Sequence, residues 1–381
     1  MKNTQFLEFN EFQLEFERQV DRFVESEIRP HAREWDEEDR CPIELFKRMA
    51  ELDLLSVGFP EKFGGAGGIT EQLILIEKMA GVSAGAALTA YVHMAMACSV
   101  LSQFGNPEQI EEYLLPALRG EKIGCFAYAE PNAGADVTAV ECRARKEGDH
   151  FIVNGQKAYI TNATFADFMV VVVRTKESSG IDGMSLLIID KDVSGVSRVK
   201  MNKMGLKGSE MGEIFFDDCI VPESQLLGTL HNGMREALVM FTKGRALAAA
   251  FSNGIAGEAL NQATEHVINR KSKGKALIHK QFIRFTLAEM KTRLEASRLL
   301  TYRAASLIDE GRDFGTECSI AKLHSTESCT WICERAFHLH GVQGFIMESD
   351  VQRFYRDCKV WEFGEGTNEV QKEMIASFIL S

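Results

Sequence analysis

Apolar side chains in this chain repeat with a helical period at both ends and with a strand-like pattern in the middle. Near the start, Phe12, Phe16, Val20 and Phe23 recur every three to four residues, which is the spacing of one helix face. From about residue 121 the apolar runs shorten to strand length, as at residues 168–173, and from about residue 230 long helical repeats return. This order of helices, strands and helices indicates an α+β multidomain protein.

We predict three domains from this order. An N-terminal α-helical domain covers residues 1–120, a middle antiparallel β-barrel or sandwich domain covers residues 121–229, and a C-terminal four-helix bundle covers residues 230–381. The length of 381 residues agrees with this division, because one simple core rarely organises so long a chain. Within the middle domain, Asn154-Gly155 between apolar residues predicts a β-hairpin turn.

The net charge and the cysteine content argue against a nucleic-acid-binding protein, a disulfide framework and a metal site. A net charge of −12 argues against a nucleic-acid partner, which requires a basic surface. The nine cysteines are an odd number, and residues 1–19 contain no apolar signal segment, so we expect reduced thiols in a cytoplasmic protein. Cys329 and Cys333 lie one helical turn apart, but they lack the spacing of a zinc finger, and we predict no metal site.

An apolar run at residues 87–101 raises the question of a membrane span. The run is shorter than the roughly 20 residues that a helix needs to cross a bilayer. We therefore expect a buried helix and no membrane association.

The most informative candidate for catalysis lies near the C-terminus, in the segment Phe-Gly-Glu-Gly-Thr-Asn-Glu at residues 363–369. Glycines on both sides of Glu365 allow the backbone to approach a ligand closely and to adopt angles that other residues resist. A carboxylate held in this way can act as a general base. An ordinary turn between two helices explains the same residues, so the segment alone does not decide between the two.

Six motifs, in order along the chain, resemble those of the FAD-dependent acyl-CoA dehydrogenase family and cover nearly the whole sequence. The first, Phe-Ala-Tyr-Ala-Glu-Pro-Asn-Ala-Gly-Ala-Asp, is similar to the family's Thr-Glu-Pro-x-Ala-Gly-Ser-Asp. The second, Asn-Gly-Gln-Lys-Ala-Tyr-Ile-Thr-Asn, is similar to its Asn-Gly-x-Lys-x-Trp-Ile-Thr-Asn. The motifs occupy residues 126–136, 154–162, 204–209 with 216–222, 270–274 with Gln281, 341–344, and 365–367.

The resemblance implies FAD as the cofactor and suggests which residues hold it. The loop that contains Tyr128, Ala129 and Ala135 should flank the flavin ring, together with Tyr159 and Thr161. Tyr159 stands where a tryptophan is usual. The residues implied at the diphosphate and adenosine half are Arg270, Ser272, Gln281, Gly341, Gln343, Gly344, Thr367 and Glu369. Because several of these would reach the FAD of a neighbouring subunit, we expect a homo-oligomer, which in this family is usually a tetramer.

The family reaction removes a proton from the α-carbon and a hydride from the β-carbon of an acyl thioester. Glu365 would be the base, and burial beside an apolar acyl chain should raise its pKa. Some members place the base on a middle helix immediately before an arginine, but here that position is Gly244, before Arg245. The residues implied at the substrate are Ala135, Phe241, Arg245 and Gly366.

Several motif residues depart from the family pattern and leave the substrate open. Ala129 and Ala135 replace hydroxyl residues, and Lys273 replaces an aromatic residue beside the cofactor. A dehydrogenase or oxidase of an acyl or aminoacyl group tethered to a carrier protein is therefore an alternative, and electron-transfer flavoprotein or oxygen would reoxidise the flavin. A flavin monooxygenase or a non-catalytic thioester-binding protein of the same fold is a further alternative.

Overall fold

The computed structural model describes residues 9–178 and 180–380, so the domain prediction at residues 1–8 and at 381 lies outside the described residues. The N-terminal part is helical, and π-helical turns at Val24–Ile28, Val92–Cys98 and Ile110–Leu114 extend three of its helices. Its α-helices are α1 (Glu11–Phe23), α2 (Ala32–Glu38), α3 (Glu44–Glu51), α4 (Ile69–Val82), α5 (Ala84–Tyr91), α6 (Ser99–Phe104), α7 (Pro107–Gln109) and α8 (Leu115–Leu118).

Helix α1 shows how the local sequence sets a helix start. The Asn10 side chain accepts a hydrogen bond from the N–H of Gln13 at 2.9 Å, and the Gln13 side chain accepts one from the N–H of Asn10 at 3.1 Å. This capping box satisfies donors that the first turn would leave unpaired. Three of the four apolar residues that predicted this helix are buried, whereas Phe12 is 52% exposed, so the buried face begins one turn later than the pattern indicated.

Helix α5, the π-helical turn after it and α6 form one continuous apolar helix. Ala84–Phe104 is long and apolar enough by composition to cross a membrane, but 83% of its most apolar window is buried inside the protein. Helix α4 packs against α5. The burial confirms the sequence prediction of a core helix at this position.

The middle of the chain forms one eight-stranded sheet in the order β6-β7-β3-β2-β4-β5-β8, with β1 paired to β4. Most neighbouring strands pair antiparallel, whereas β1 and β2 both run parallel to β4, so the sheet is mixed at β4. The strands are β1 (Gly124–Ala127), β2 (Arg143–Glu147), β3 (His150–Thr161), β4 (Phe168–Arg174), β5 (Met184–Asp190), β6 (Val196–Met201), β7 (Met211–Pro222) and β8 (Leu226–Leu227).

The hairpin prediction at Asn154-Gly155 is wrong, because both residues lie inside the long strand β3. The turn between β2 and β3 contains Gly148 instead, whose φ is +59°. Gly155 permits a close cross-strand contact, since a Cβ there would lie 2.7 Å from the Cα of Cys142. The Asn154 side chain donates to a carboxylate oxygen of Asp218 and accepts from its N–H, both at 2.9 Å. The dipeptide therefore forms a bulge against β7 and does not reverse the chain.

The C-terminal part is helical again, with a small hairpin between its first two helices. Helix α9 is central, because it packs against α10 and α11 and also against α4 of the N-terminal part. Every residue from 244 to 257 is buried, so this stretch has no solvent-facing side. The elements are α9 (Gly233–Asn269), β9 (Lys271–Ser272), β10 (Lys275–Ala276), α10 (Gln281–Asp309), α11 (Gly315–His340), α12 (Asp350–Asp357) and α13 (Asn368–Leu380).

Polar contacts near the loop before β7 join the N-terminal, middle and C-terminal parts of the chain. The N–H of Leu206, in the Met-Gly-Leu-Lys-Gly-Ser motif, donates to Asp357 Oδ1 of α12 at 2.6 Å. Next to it, Arg356 Nη2 donates to Asp36 Oδ2 of α2 at 2.6 Å. Burial raises the pKa of Asp357 to about 6. One end of α12 therefore holds both the β domain and the N-terminal helices.

A buried ion pair anchors the first motif loop to β3. Lys157 Nζ lies 2.6 Å from Glu130 Oε1 and donates to the carbonyl oxygen of Tyr128 at 2.9 Å. The two charged side chains are 0% and 5% exposed. Glu130 also accepts from the N–H groups of Glu141 at 2.7 Å and Cys142 at 3.1 Å, so its charge is well compensated. Such a pair is costly to break, because removing one partner leaves a buried charge.

We predict that Lys157→Met destabilises the protein, because it leaves the Glu130 carboxylate buried without its cation. The expected loss in the free energy of unfolding is about 3 kcal/mol, measured by denaturant titration. Lys191→Met is the matched control, since Lys191 pairs with Asp167 at 2.9 Å on the exposed surface. The control should unfold close to the wild-type midpoint. Equal midpoints for Lys157→Met and the wild type would contradict the role given to this pair.

Candidate active site

The predicted base, Glu365, lies in a tight turn between the short helical turn Val360–Glu362 and α13. Its φ is +55°, a left-handed backbone that is uncommon for a residue with a side chain, and Gly366 follows with a φ of +80°. Strained backbone of this kind persists only where the surrounding structure holds it. Here two buried polar side chains donate hydrogen bonds to the carbonyl oxygens of this turn.

Gln371 and Lys322 are the side chains that fix this turn. Gln371 Nε2 donates to the carbonyl oxygens of Glu365 and Gly366, each at 3.0 Å. Lys322 Nζ, from α11, donates to the carbonyl oxygen of Gly366 at 2.7 Å and to Asn368 Oδ1 at 2.9 Å. Both residues are 0% exposed. Neither residue lies in a sequence motif, and the signal available for Lys322 was a lysine among small and apolar residues of a predicted helix.

The Glu365 side chain points between α5 and α9. Its Oε1 accepts a hydrogen bond from the Tyr91 hydroxyl at 2.5 Å. Its Oε2 is shielded from solvent and has no hydrogen-bond partner within residues 9–178 and 180–380. A shielded carboxylate oxygen without a donor can accept a proton from a bound molecule.

Gly244 of α9 leaves the space that this carboxylate occupies. A Cβ at position 244 would lie 2.5 Å from Oε2 of Glu365 and 2.8 Å from the Tyr91 hydroxyl oxygen. Neither distance is compatible with an ordinary contact. A side chain at position 244 and an inward carboxylate at position 365 therefore exclude each other, which gives a steric reason for the glycine before Arg245.

Burial dominates the electrostatics of the carboxylate. It raises the pKa of Glu365 to about 7, against the Tyr91 hydrogen bond and the charges of Arg245 and Lys322, which lower it. Burial also lowers the pKa of Lys322 to about 8 and lowers the pKa of Arg245. A carboxyl group that titrates near neutral pH is matched to work as a general base there.

Arg245 acts on this carboxylate through its charge, and its polar contacts point elsewhere. Its Nη1 donates to Ser319 Oγ at 3.4 Å, a long hydrogen bond. Its Nε has no partner in the part of the chain that the structure describes. The guanidinium is therefore buried with its hydrogen-bonding capacity only partly used.

The same face of α9 reaches the first sequence motif. Phe241 precedes Gly244 by one helical turn, and its ring lies 5.8 Å from the ring of Tyr128 and 5.7 Å from that of Phe126, measured between centroids. The Tyr128 hydroxyl donates to the carbonyl oxygen of Gly134 at 2.9 Å, which orders the motif loop. Glu365 and the motif loop are thus neighbours along one side of α9.

Tyr159 and Thr161 lie on β3, beside that loop. The N–H of Ala158 donates to the carbonyl oxygen of Ala129 at 2.9 Å and joins the strand to the loop. Tyr159 has a φ of +61°, within a bulge of β3, and its residue is 55% exposed. An aromatic ring held outward in this way offers a flat surface for a planar ring, so the residues present fit a flavin. Thr161 is only 9% exposed.

The other predicted cofactor residues lie on surface elements of the C-terminal part. Arg270 and Ser272 flank the start of the β9–β10 hairpin, Gln281 begins α10, and Gly341, Gln343 and Gly344 form the turn after α11. Most of them are exposed, as is Ala135 in the first motif. Thr367 precedes α13 and Glu369 lies in its first turn, next to Glu365 in the sequence, and Thr367 Oγ1 accepts from the N–H of Val370 at 3.3 Å. The other residues lie on elements different from the turn that carries Glu365.

Comparisons with known proteins agree with this arrangement along the whole chain. Family models for the N-terminal, middle and C-terminal domains of acyl-CoA dehydrogenases match residues 10–121, 125–219 and 231–380. The chain belongs to the acyl-CoA dehydrogenase family. It is a flavoprotein oxidoreductase of the type that acts on the CH–CH group of an acyl-CoA.

Individual relatives cover almost the full length. The short-chain specific acyl-CoA dehydrogenase of Clostridium acetobutylicum is 35% identical over 362 residues, 94% of this chain and 96% of that protein. The caffeyl-CoA reductase-Etf complex subunit CarC of Acetobacterium woodii is 37% identical over 349 residues, 91% of this chain and 92% of that protein. The solved structure of butyryl-CoA dehydrogenase from Megasphaera elsdenii superposes with a TM-score of 0.95 at 32% identity and covers 98% of this chain and 100% of that chain. These relatives confirm the predicted fold and reaction type and do not favour a carrier-tethered substrate.

We predict that Gly244→Ala lowers activity without unfolding the protein. The added Cβ would displace the Glu365 carboxylate, whereas alanine in place of glycine favours a helix by roughly 1 kcal/mol. The rate of flavin reduction by an acyl-CoA should fall at least about tenfold, because small displacements of a catalytic group are costly. Gly257→Ala in the same helix is the control, since its Cβ would meet only the side-chain ends of Arg298 and Leu294, at 3.2 and 3.8 Å. An unimpaired Gly244→Ala enzyme would contradict the packing described here.

Proposed function

We propose that the protein oxidises a short-chain acyl-CoA, with Glu365 as the base and FAD as the cofactor. The observation that carries the proposal is the buried Glu365 carboxylate: its Oε2 has no hydrogen-bond partner among the described residues, and burial raises its pKa to about 7. The short acyl chain is supported by the two relatives named for short-chain and butyryl substrates.

The chain's residues would carry out the proton transfer as follows. Oε2 of Glu365 accepts the proton from the α-carbon, and the carboxylate becomes a neutral carboxylic acid. Burial excludes water from this step and gives the carboxylate the basicity it needs. Arg245 and Lys322 supply positive charge nearby, which limits the cost of keeping the carboxylate ionised before the substrate binds. Bound FAD would supply the acceptor for the hydride that leaves the β-carbon.

The cofactor site would be shared between subunits. Tyr128, Ala129, Ala135, Tyr159 and Thr161 would hold the flavin ring of one chain, with Phe241, Arg245 and Gly366 near the substrate. The residues that would hold the diphosphate and adenosine of the partner's FAD are Arg270, Ser272, Gln281, Gly341, Gln343 and Gly344, most of which are exposed, and Thr367 and Glu369 would complete the site. Large apolar side chains exposed on the same C-terminal elements support a homo-oligomer, which we propose is a tetramer: Phe282, Phe285, Val342 and Phe345 are 63%, 64%, 83% and 73% exposed.

The electron acceptor and the compartment complete the proposal. The relative from Acetobacterium woodii is named as part of a complex with Etf, which supports electron-transfer flavoprotein as the partner of this chain. All nine cysteines are free and buried. Free thiols suit a reducing compartment, so we place the enzyme in the cytoplasm.

We predict that Glu365→Gln abolishes turnover while FAD stays bound, because the amide keeps the shape of the side chain and loses its basicity. The rate of anaerobic flavin bleaching by butyryl-CoA should fall by about 10²- to 10⁴-fold or more, the usual contribution of a general base. Stopped-flow absorbance of the holoenzyme measures this rate.

Glu373→Gln is the control for that experiment, because Glu373 is exposed on α13. It should bleach at the wild-type rate. Bleaching that is undiminished in Glu365→Gln would remove the carboxylate from the mechanism.

A further inference from the structure

Tyr91 contacts the base from the opposite end of the sequence. It is the last residue of α5, it is 2% exposed, and its hydroxyl lies 2.5 Å from Oε1 of Glu365. No sequence motif pointed to it. The contact crosses from the N-terminal helices to the C-terminal turn.

The tyrosine ring has little freedom to move. It meets the ring of Trp361 edge to face, at an interplanar angle of 90° and a centroid distance of 5.4 Å. Trp361 in turn packs on Phe251 of α9 at 5.0 Å. On the other side, the glycine at position 244 lets the hydroxyl lie close to α9, since a Cβ there would be 2.8 Å from it. Packing therefore aims the hydroxyl at one carboxylate oxygen.

The hydroxyl can serve the carboxylate only as a donor. Burial, with the negative charge of Glu365, raises the pKa of Tyr91 well above its ordinary value, so the phenol keeps its proton. A phenol O–H that donates to Oε1 fixes the rotation of the carboxylate, and Oε2 has no donor in the part of the chain that the structure describes.

We propose that Tyr91 is a positioning residue for the reaction: its hydroxyl holds Oε1 of Glu365 so that Oε2 faces the α-carbon of the substrate. This inference rests on the proposed function, in which Glu365 is the base. It gives Tyr91, which lies outside the sequence motifs, a part in the proton transfer. It also explains why the carboxylate can remain in one orientation although Arg245 lies nearby.

The groups around Glu365 predict in which direction the pKa of its carboxyl group shifts when the Tyr91 hydroxyl is removed. The groups that face its carboxylate are the Tyr91 hydroxyl from α5, the Arg245 guanidinium from α9 and the Lys322 ammonium from α11. The tyrosine favours the ionised carboxylate and lowers its pKa. Removing the hydroxyl should therefore raise the pKa of Glu365 above about 7, so that less of the base is ionised at neutral pH.

Tyr91→Phe tests the proposal, because phenylalanine keeps the ring and its contact with Trp361. Infrared titration of the holoenzyme can follow the C=O stretch of protonated Glu365, assigned by its loss in Glu365→Gln. We expect the titration midpoint to rise by about one pH unit, the size expected for the loss of a hydrogen bond to a charged group. Flavin reduction by butyryl-CoA, measured at a pH where the base is fully ionised, should slow at least about tenfold.

Tyr113→Phe is the matched control. Tyr113 is also buried and donates to a carboxylate, Asp190 Oδ2, at 2.9 Å, but it lies away from the base. The control should leave both the midpoint and the reduction rate unchanged.

Each possible result decides the question. An unchanged midpoint, or a raised midpoint with a wild-type reduction rate when the base is fully ionised, overturns the positioning role. If the Glu365→Gln holoenzyme is still bleached at the wild-type rate, the proposed function fails instead, and the tyrosine measurements then describe only a structural hydrogen bond.

Discussion

The site depends on one constraint: hydrogen bonds and nearby cations only partly stabilise the negative charge of the buried Glu365 carboxylate. An ionised carboxylate inside a protein is costly unless donors and cations surround it. Within residues 9–178 and 180–380, the Glu365 carboxylate accepts one hydrogen bond, from Tyr91, and Arg245 and Lys322 add positive charge nearby, yet burial still raises its pKa to about 7. More donors would make the group a weaker base, and fewer would keep it protonated. A pKa of about 7 is matched to a general base that works at neutral pH.

Helix α9 makes this balance possible because it is the common contact of the domains. Its stretch from 244 to 257 is buried on all sides, Phe241 faces the motif loop of the β domain, and Gly244 accommodates the carboxylate. Tyr91 and Glu365 are 274 positions apart in the sequence, so they meet only when both helical domains pack correctly. Contacts that hold the domains together, such as the one between Leu206 and Asp357, therefore also maintain the geometry of the Glu365 carboxylate.

Local features of the sequence predicted part of this site. Glycines around Glu365 indicated a candidate base, the family resemblance drew attention to Gly244 before Arg245, and helical and strand periods predicted the order of the domains. Tyr91 and Lys322 were not predictable, because a tyrosine or a lysine within a helix acquires such a role only from the residues that later pack against it. The hairpin prediction at Asn154-Gly155 was wrong for a related reason. The same dipeptide can form a turn or a bulge, and which of the two forms depends on pairing with the neighbouring strands β2 and β7.

The pH dependence of single-turnover flavin reduction by butyryl-CoA, compared with its α-dideuterated form, tests the central claim most directly. If the buried carboxylate removes the α-proton, the rate constant rises as pH increases through about 7, where Glu365 ionises, and deuterium at the α-carbon slows it. A rate constant that is flat between about pH 5 and 9 and insensitive to α-deuteration would contradict the account.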